Sequence, residues 1–448
     1  MRLWHSALLA SFLGMGACGF DQNTNPNSPD PIGENPSRGQ VSAGANGMLI
    51  ALRGDVQDFA LDVGILGREV LRIDGSDPRF ITELLISELD PGGDAFGGDH
   101  WADQYTAIRG GNRLLAAVPT AEILSEAEKS AALGFVRTIQ AYSFLMILNA
   151  HTQDSIPIDI PSELTAPPAP FVSNAAAYDH VVALLDQGRA DLLAGGAAFP
   201  FNLPAGFSAS NTPATFVQFN RSLRARVAAY RLDWNGVHAA LLESFLVDPA
   251  APLDRGVYMD YGTGAGDLAN PLSQDPAAGE NFAHQQLDTL AQLQADGVTK
   301  DLRFVTKTVR RASTTSNGFS SDLGWIRYPS PNSPIPLIKV EELILLRAEA
   351  NINLGDLTTA LTDINTVRQT SGGLLPALPF ADQTAAIDEL LYNRLFSLLY
   401  EGGHRWIDLR RYGRLAISPA GDLPISRAGG AEVVFLTFPV PRDEVLAR

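Results

Sequence analysis

The sequence predicts a mainly α-helical fold built from tetratricopeptide-like helix pairs. The clearest pair lies between residues 336 and 368, where apolar residues recur at helical spacing on both sides of Gly355. Glycine adopts positive φ readily, which is a common way for a helix to end, and Asp356 is suited to cap the helix that follows. Two helices joined by so short a turn lie antiparallel and bury their shared face. Their outer apolar faces call for further pairs stacked against them, as in a helical-repeat array.

Other stretches with the same apolar spacing extend this array along the chain. They are residues 101–118, 126–148, 174–193, 215–232, 235–245 and 385–400. A helical pattern also begins at Val41 and continues through Leu52, ahead of a polar, Gly-rich region. The first two stretches are separated by Pro119 and Thr120, so we predict that they form a second antiparallel pair.

Residues 249–334 interrupt the helical pattern. Gly, Asp, Ser, Pro and Asn are frequent there, and the apolar spacing is poor. The region is too long to be a bare loop in a compact domain, so we predict an irregular, loop-rich subdomain. The closing stretch VVFLTFPVP, residues 433–441, is strand-like.

The N-terminus has the order of an export signal. Arg2 precedes an apolar run from Leu8 to Met15, and small residues lead to Cys18, the single cysteine of the chain. This order resembles a bacterial lipoprotein signal, in which the cysteine is lipidated and becomes the mature N-terminus. An ordinary secretory signal with an incidental cysteine is the alternative. One cysteine excludes an intrachain disulfide.

The charge balance excludes two classes of partner. The chain carries 33 basic and 50 acidic side chains, a formal net charge of −17. Such a surface repels nucleic acid and anionic lipid, so we expect no nucleic acid partner and attachment to a membrane only through the N-terminal lipid.

Several segments together resemble the SusD/RagB family of outer-membrane nutrient-binding lipoproteins. In chain order they are the lipoprotein-type signal, WADQYTAIRGGNRLL, VRTIQAYSFLMIL followed by IPI, RSLRARVAAYRLDW, VEELILLRAEANINLGDLTTALTDINTVR, EGGHRWIDLRRYG and FPVPRDE. The chain departs from the family ahead of Glu401, where Phe396 and Ser397 stand in place of the usual Arg-Glu pair. This departure puts a local ion-pair network in question.

The resemblance implies a right-handed superhelical scaffold of helix pairs with a loop-rich subdomain that carries the ligand. It also implies a lipid-anchored protein of the outer membrane, exposed at the cell surface, whose partner is a TonB-dependent β-barrel transporter. The implied ligands are oligosaccharides or, for some members, peptides, and no cofactor is implied.

With this resemblance, the chain divides into five predicted segments. They are a lipoprotein signal peptide at 1–17, a flexible tether at 18–40, an N-terminal helical-pair region at 41–248, an irregular ligand-binding subdomain at 249–334, and a C-terminal helical-pair region and tail at 335–448.

The motif EGGHRWIDLRRYG raises the question of a metal or catalytic site. Glu401, His404 and Asp408 lie close together in sequence, but a metal site needs three or more converging ligands with supporting hydrogen bonds. We expect instead that the apolar residues of the motif pack a helix onto the bundle and that its charged residues form ion pairs and caps. The chain also lacks G-x-S-x-G, H-E-x-x-H, C-x-x-C and P-loop motifs, so we predict no enzymatic activity.

Two groups of residues offer the mixture that sugar recognition needs, namely aromatic faces beside groups that hydrogen-bond to hydroxyls. The predicted ligand-binding residues are Asp94, Phe96, Asp99 and His100 in the first group and Trp325, Arg327 and Tyr328 in the second. The alternative for each aromatic residue is that it fills a local core.

Three functional hypotheses follow. The first is a non-catalytic surface protein that captures a nutrient and delivers it to a transporter. The second is a surface glycoside hydrolase, because paired carboxylates act without any local motif. The third is a structural helical-repeat adaptor.

Overall fold

The computed structural model describes residues 32–92, 96–152, 154–163, 165–417 and 422–448. The predicted signal peptide, the lipidation site Cys18, most of the tether and the predicted ligand contact Asp94 lie outside the described residues.

Helices dominate the described residues, and the predicted mainly α fold is confirmed. The helices are α1 (Arg38–Leu66), α2 (Arg79–Ile81), α3 (Ala102–Ala117), α4 (Glu126–Ala150), α5 (Asn174–Ala194), α6 (Pro213–Tyr230), α7 (Trp234–Leu241), α8 (Gln286–Leu290), α9 (Leu302–Val305), α10 (Val340–Asn353), α11 (Leu357–Thr370), α12 (Gln383–Ser397), α13 (His404–Arg411) and α14 (Arg442–Leu446).

The N-terminal helices pack in sequence order. Helix α3 lies against both α1 and α4, and α5, α6 and α7 continue the row, so the predicted second pair is confirmed as α3 and α4. Helix α4 begins at a capping box, in which Ser125 and Glu128 satisfy each other's backbone N–H groups. Among the described residues, α4 alone is long and apolar enough to cross a bilayer, and 89% of its apolar window is buried inside the protein. It therefore serves as the core helix of the row.

The predicted helix pair at residues 336–368 is confirmed as α10 and α11. Gly355 takes φ +87° at the turn, and the Asp356 carboxylate accepts the backbone N–H of Thr359 at 3.0 Å. The prediction is wrong for residues 336–339, which are extended because they pair with an earlier strand. Helix α10 packs on α11, α12, α7 and α6, so the face of α10 that points away from α11 is covered by neighbouring helices.

Eight short strands complete the part of the fold that the structure describes. They are β1 (Val70–Arg72), β2 (Ile156–Pro157), β3 (Phe171–Val172), β4 (Gly256–Met259), β5 (Asn281–Ala283), β6 (Thr308–Ser316), β7 (Phe319–Trp325) and β8 (Ile335–Lys339). Four of them form an antiparallel sheet in the order β1-β5-β7-β6, while β2 pairs with β3 and β4 pairs with β8.

The four-stranded sheet joins two of the predicted segments. Strand β1 comes from the N-terminal region and pairs with β5 of the 249–334 region, with Leu71 opposite Phe282. A single hydrophobic core includes residues of both regions. The 249–334 region is therefore built onto the helical scaffold through shared hydrogen bonds and a shared core.

Three local predictions differ from the structure. Residues 38–40, assigned to the tether, are the first turn of α1, because Ser37 and Gln40 form a capping box there. Helix α1 also continues past Leu52 to Leu66, since Val56, Phe59 and Val63 keep its buried face apolar. Residues 433–441 are not a strand. The segment is held by isolated backbone hydrogen bonds and not by the continuous ladder of a sheet. One of them runs from the Phe438 N–H to the Ala150 carbonyl, at 2.9 Å.

The expected packing role of the EGGHRWIDLRRYG motif is confirmed. On α13, Trp406, Ile407 and Leu409 are buried in the common core. The Arg394 guanidinium lies 2.6 Å from the Asp408 carboxylate, and Arg411 lies 2.7 Å from Glu349. The charged residues of the motif thus bind α13 to neighbouring helices.

A buried ion pair joins the two halves of the helical scaffold. Arg226 on α6 places Nε and Nη2 at 2.7 and 2.6 Å from the two carboxylate oxygens of Glu342 on α10. The same Nη2 donates to the Leu337 carbonyl of β8 at 2.7 Å. The side chains are only 6% and 2% exposed, so each charge depends on its partner for compensation.

We predict that Arg226→Met lowers the free energy of unfolding by about 3–5 kcal/mol, because Glu342 is left buried without its partner. Urea unfolding followed by circular dichroism measures the change. The control is Arg189→Met, since Arg189 pairs with Glu243 at the surface and its loss is expected to cost no more than about 1 kcal/mol. Equal losses in the two variants would contradict the prediction.

Candidate functional site

The first group of predicted ligand contacts lies where the loop after β1 meets the turn before α3. Phe96 packs against Phe80, with ring centroids 4.6 Å apart. The Arg72 guanidinium lies over the Phe80 ring at 4.3 Å, and that of Arg79 lies over the Phe96 ring at 5.4 Å. We call these four residues, Arg72, Arg79, Phe80 and Phe96, the Arg–Phe surface.

Carboxylates flank both arginines of the Arg–Phe surface. Arg72 lies 2.8 Å from Asp74 and 3.0 Å from Glu280, and Arg79 lies 2.7 Å from Asp77. Asp74 also accepts the backbone N–H groups of Ser76 and Asp77, which fixes the loop that carries them. Phe80 is partly exposed, whereas Phe96 is 8% exposed. The surface therefore combines ring edges with positioned donors and acceptors.

His100 takes a different position from Phe96, inside the protein. Its Nδ1 lies 2.6 Å from Asp55 and its Nε2 lies 3.4 Å from Asp62, both on α1. Burial alone would lower the pKa of His100, but these two carboxylates outweigh it and raise the pKa well above its ordinary value. The charged imidazole therefore joins α1 to the start of α3 and has almost no surface to offer a ligand.

Asp99 lies at the exposed rim of this acidic group. Desolvation and the carboxylates of Asp62 and Asp55 raise the pKa of Asp99 to about 6, against the effect of His100. Asp58 of α1 behaves in the same way, and its pKa is raised to about 7, by desolvation first and then by Asp62. The described members of the first predicted group thus lie in three different environments. Asp99 is at the surface, the Phe96 ring is mostly buried, and His100 is a buried cation.

The second predicted group lies beside Tyr400. Trp325 stacks on the Tyr400 ring at 4.7 Å, and the Tyr328 hydroxyl donates to the Tyr400 carbonyl at 2.7 Å. Both side chains are buried, at 5% and 2% exposure. They fill the core between the sheet and the end of α12, which is the alternative noted for each aromatic residue.

Arg327 belongs to an ion-pair network centred on Glu401. The Glu401 carboxylate lies 3.1 Å from Arg327, 3.3 Å from Lys307 and 2.8 Å from Lys339. Burial alone would raise the pKa of Glu401, but the three cations outweigh it and hold the pKa well below its ordinary value. Burial lowers the pKa of Lys307 to about 8, against the attraction of Glu401.

The departure at Phe396 and Ser397 leaves this network intact. Lys307 Nζ donates to the backbone carbonyls of both residues, at 3.0 and 3.1 Å, and Lys339 Nζ donates to the Ser397 carbonyl at 3.1 Å. Backbone oxygens at the end of α12 supply these acceptors, and they do not depend on side-chain identity. The network therefore survives a substitution that the family resemblance had placed in question.

The structure does not bring the two predicted groups to one surface. Arg72 pairs across the sheet with Asn281, whose side chain donates to the Tyr400 hydroxyl at 3.1 Å. Trp325 and Tyr328 lie on the inner side of this contact, beside Tyr400. The predicted ligand contacts are thus not a single constellation, and their assignment stays a prediction.

Sequence reasoning missed Arg72, Arg79 and Phe80. They lie in the stretch RIDGSDPRF, which has no periodicity and belongs to the polar region after α1. The available signal was an aromatic residue next to Arg and Asp, the same mixture used to select residues 94–100.

Glu401, His404 and Asp408 do not converge on a metal site. Glu401 faces the three cations, Asp408 pairs with Arg394, and His404 Nε2 lies 4.0 Å from Glu342. Within the described ranges, no group of three His, Cys, Asp or Glu side chains is placed to hold a metal ion.

Comparison with known proteins finds a family match for part of the chain. Residues 326–434, which include Arg327, Glu401 and α13, match the family model described as SusD family. The resemblance to the SusD/RagB family is confirmed. No curated protein matches the SusD-like chain in sequence.

Solved structures share the fold of this SusD-like chain along almost its full length. A SusD-like protein from Bacteroides fragilis superposes with a TM-score of 0.70 at 15% identity and covers 94% of this chain and 96% of its own. A SusD superfamily protein from Bacteroides vulgatus gives 0.70 at 17% identity, with 92% and 97% covered. A SusD-like carbohydrate binding protein from Bacteroides vulgatus gives 0.67 at 14% identity, with 92% and 96% covered. At such identities the likeness shows the fold.

We predict that Glu401→Gln lowers the free energy of unfolding by about 3–5 kcal/mol at pH 7, because three cations lose their common anion. The depressed pKa of Glu401 gives stability that is fully present above the ordinary carboxyl pKa of about 4.3 and is lost as the pH falls toward the depressed value. The difference between the native protein and the variant should therefore shrink as the pH falls below about 4.

Urea unfolding at a series of pH values measures this difference. The control is Glu126→Gln. The Glu126 side chain is 90% exposed, so this substitution should change stability little at any pH. A difference between the native protein and Glu401→Gln that stays constant with pH would contradict the role assigned to Glu401.

Proposed function

We propose that this chain is a non-catalytic, cell-surface lipoprotein that binds an oligosaccharide and delivers it to a TonB-dependent β-barrel transporter of the outer membrane. The observation that carries the proposal is the SusD-like fold over more than nine-tenths of the chain, together with the SusD family match at residues 326–434. One relative of the same fold is a carbohydrate binding protein, which supports a glycan as the ligand. Peptides are the alternative ligand class that the family resemblance allows.

Membrane attachment in this proposal depends on Cys18. The cysteine follows a charged residue, an apolar run and small residues, in the order of a lipoprotein signal. The structure begins its first described helix only 20 residues later, at Arg38. A lipid at Cys18 would leave a short polar segment between the membrane and α1.

The Arg–Phe surface is the proposed glycan contact. The partly exposed Phe80 ring offers an apolar surface to a pyranose, while Asp77 and Glu280 accept hydrogen bonds from hydroxyls. Arg72 and Arg79 are already oriented by these carboxylates, so little side-chain entropy remains to be lost on binding. Asp99 lies in the adjoining turn and belongs to the same proposal. Asp94, which is outside the described residues, stays a proposed contact from the sequence.

The absence of catalysis is part of the proposal. The sequence carries none of the common local catalytic motifs, and the carboxylates of Asp55 and Asp62 are both held by the buried His100. Incubation with a panel of glycans and analysis of the products tests this point, since turnover that disappears on removal of one carboxylate would favour the hydrolase.

We predict that Phe80→Ala weakens glycan binding by at least about tenfold, equal to about 1.4 kcal/mol, because the ring provides the apolar contact. Affinity electrophoresis in a series of gels, each containing a different polysaccharide, measures binding across a broad range of glycans. The control is Phe380→Ala, which removes another partly exposed phenylalanine ahead of α12. The proposed contact is wrong if no polysaccharide retards the native protein. It is also wrong if Phe80→Ala and Phe380→Ala are both retarded as strongly as the native protein.

We also predict that the native protein fractionates with membranes and co-purifies with a large β-barrel protein, whereas Cys18→Ala is recovered in the soluble fraction. Mild detergent extraction followed by affinity capture from the source cells is the measurement. Protease treatment of intact cells adds the orientation, since a surface-exposed protein is cut. Capture that recovers no β-barrel protein would count against the transporter partnership, and equal fractionation of the two proteins would count against lipidation.

A further inference from the structure

A second cavity lies away from the Arg–Phe surface, between β1, α8, the start of β7 and residues 424–426. Its volume is about 340 Å³. Among the described residues that line it there is no Asp, Glu, Lys or Arg. We call it the neutral cavity, and its polar lining consists of His284, Gln285, Gln286, Thr289, Ser320 and Ser426.

The neutral cavity is separate from the Arg–Phe surface, and the two share no residue. Leu71 of β1 lines the neutral cavity, whereas the next residue, Arg72, belongs to the Arg–Phe surface. Successive side chains of a strand point to opposite faces of the sheet. The two sites are therefore reached from different sides of β1.

His284 supplies the neutral cavity with a fixed hydrogen-bond donor. The residue is 4% exposed, and burial, followed by the positive charges of Arg68 and Arg405, lowers the pKa of its side chain to about 3. The imidazole is therefore neutral at physiological pH. Its Nδ1 accepts the Gln286 N–H at 3.3 Å, so the ring proton lies on Nε2. This Nε2–H makes no hydrogen bond to any described residue and calls for an acceptor.

The other polar groups of the lining can both donate and accept hydrogen bonds. Gln285 and Gln286 bring amides, and Thr289 and Ser320 bring hydroxyls. Gln285 accepts the Asp322 N–H through its Oε1 at 3.3 Å, which leaves its NH₂ group to donate. Gln285, Thr289 and Ser320 are exposed, so a ligand can reach them from solvent. Groups that donate and accept at one atom or in one amide match the hydroxyls of a sugar.

This lining selects against charged ligands and against purely apolar ones. A charged ligand would lose hydration in the neutral cavity without meeting an opposite charge. An apolar ligand would leave the buried His284 donor without a partner. Leu71, Phe319, Pro424 and Ile425 add an apolar part, which suits the C–H groups of a sugar ring. The lining therefore fits an uncharged ligand that carries several hydroxyls.

A peptide backbone is also uncharged, but its donors and acceptors repeat along a line. An extended strand with a free edge matches that repeat through its own backbone groups. The polar groups of the neutral cavity are side chains from separate short segments, between residues 284 and 289, at Ser320 and at Ser426. This arrangement favours a compact sugar over an extended peptide.

We propose that the neutral cavity binds an uncharged mono- or disaccharide unit, with His284 Nε2 donating to one of its oxygen atoms. The volume lies at the lower end of the usual range for small-ligand sites, which favours a short unit. The proposal rests on the proposed function for the class of ligand, a glycan. It does not rest on it for the position, since no contact with Phe80 is needed.

Saturation-transfer difference NMR with the native protein tests the class of ligand. The probes are glucose, galactose and mannose, each compared with its hexosamine and its uronic acid, together with N-acetylglycinamide as an uncharged amide. At least one neutral sugar should bind at least about tenfold more tightly than both of its charged analogues, because these lose hydration without compensation. Equal affinity for neutral and charged forms, saturable binding of the amide alone, or no saturable binding of any neutral sugar would overturn the proposal.

Two variants locate the sugar. His284→Phe keeps an aromatic ring but removes the donor, and it should weaken binding at least about tenfold. Thr289→Trp fills the cavity from an exposed position on α8, so it should cause the same loss and decides the matter if His284→Phe fails to fold. The matched control is Thr358→Trp, at an exposed position on α11, which should bind as the native protein does. Equal effects of the two tryptophan variants would show that the sugar lies elsewhere.

Phe80→Ala separates this proposal from the proposed function. Neutral sugars should bind Phe80→Ala as tightly as the native protein, because the neutral cavity does not include Phe80. Loss of their binding in Phe80→Ala would place them at the Arg–Phe surface and overturn the assignment to the neutral cavity. If neutral sugars bind in a way that Thr289→Trp abolishes while no polysaccharide retards the native protein, the neutral cavity stands and the glycan contact of the proposed function falls.

Discussion

The structure depends on a carboxylate that is buried among three cations. Glu401 lies just after α12, and its partners Lys307, Arg327 and Lys339 lie at or next to the ends of the strands β6, β7 and β8. Charges taken out of water are tolerated only when they are paired and hydrogen-bonded, so these elements are required to meet at one point. The strands between residues 308 and 339 are thereby fixed onto the helical scaffold.

The same principle recurs at several helix contacts in this protein. Arg226 and Glu342 join α6 to α10, Arg411 and Glu349 join α13 to α10, and His100 joins α1 to the start of α3 through two carboxylates. Helix pairs packed only by leucine and alanine could slide along one another, because apolar contacts have little direction. Buried charges have exact partners, and we infer that they set the register of the stack.

The surface proposed for the glycan combines one aromatic ring with charged groups. The Arg–Phe surface presents the partly exposed ring of Phe80 with carboxylates and guanidinium groups already in place. Among the described residues, the exposed large apolar side chains are all Ile, Leu or Val, and none is Phe, Tyr or Trp. Aromatic platforms are therefore scarce on the surface of the described residues, which makes Phe80 informative.

The sequence by itself determined the helix pairs and the family resemblance. Periodic apolar residues, Gly355 and Asp356 are local signals, and each acts over a few residues of chain, so α10, α11 and the α3–α4 pair could be predicted from short stretches of sequence. Only the tertiary structure decided which aromatic and charged residues face solvent. Trp325, Tyr328 and His100 have the composition of a binding site but are buried, because Tyr400, Asp55 and Asp62 reach them from distant parts of the chain. Burial depends on contacts between residues that are far apart in the sequence, so no local sequence pattern predicts it.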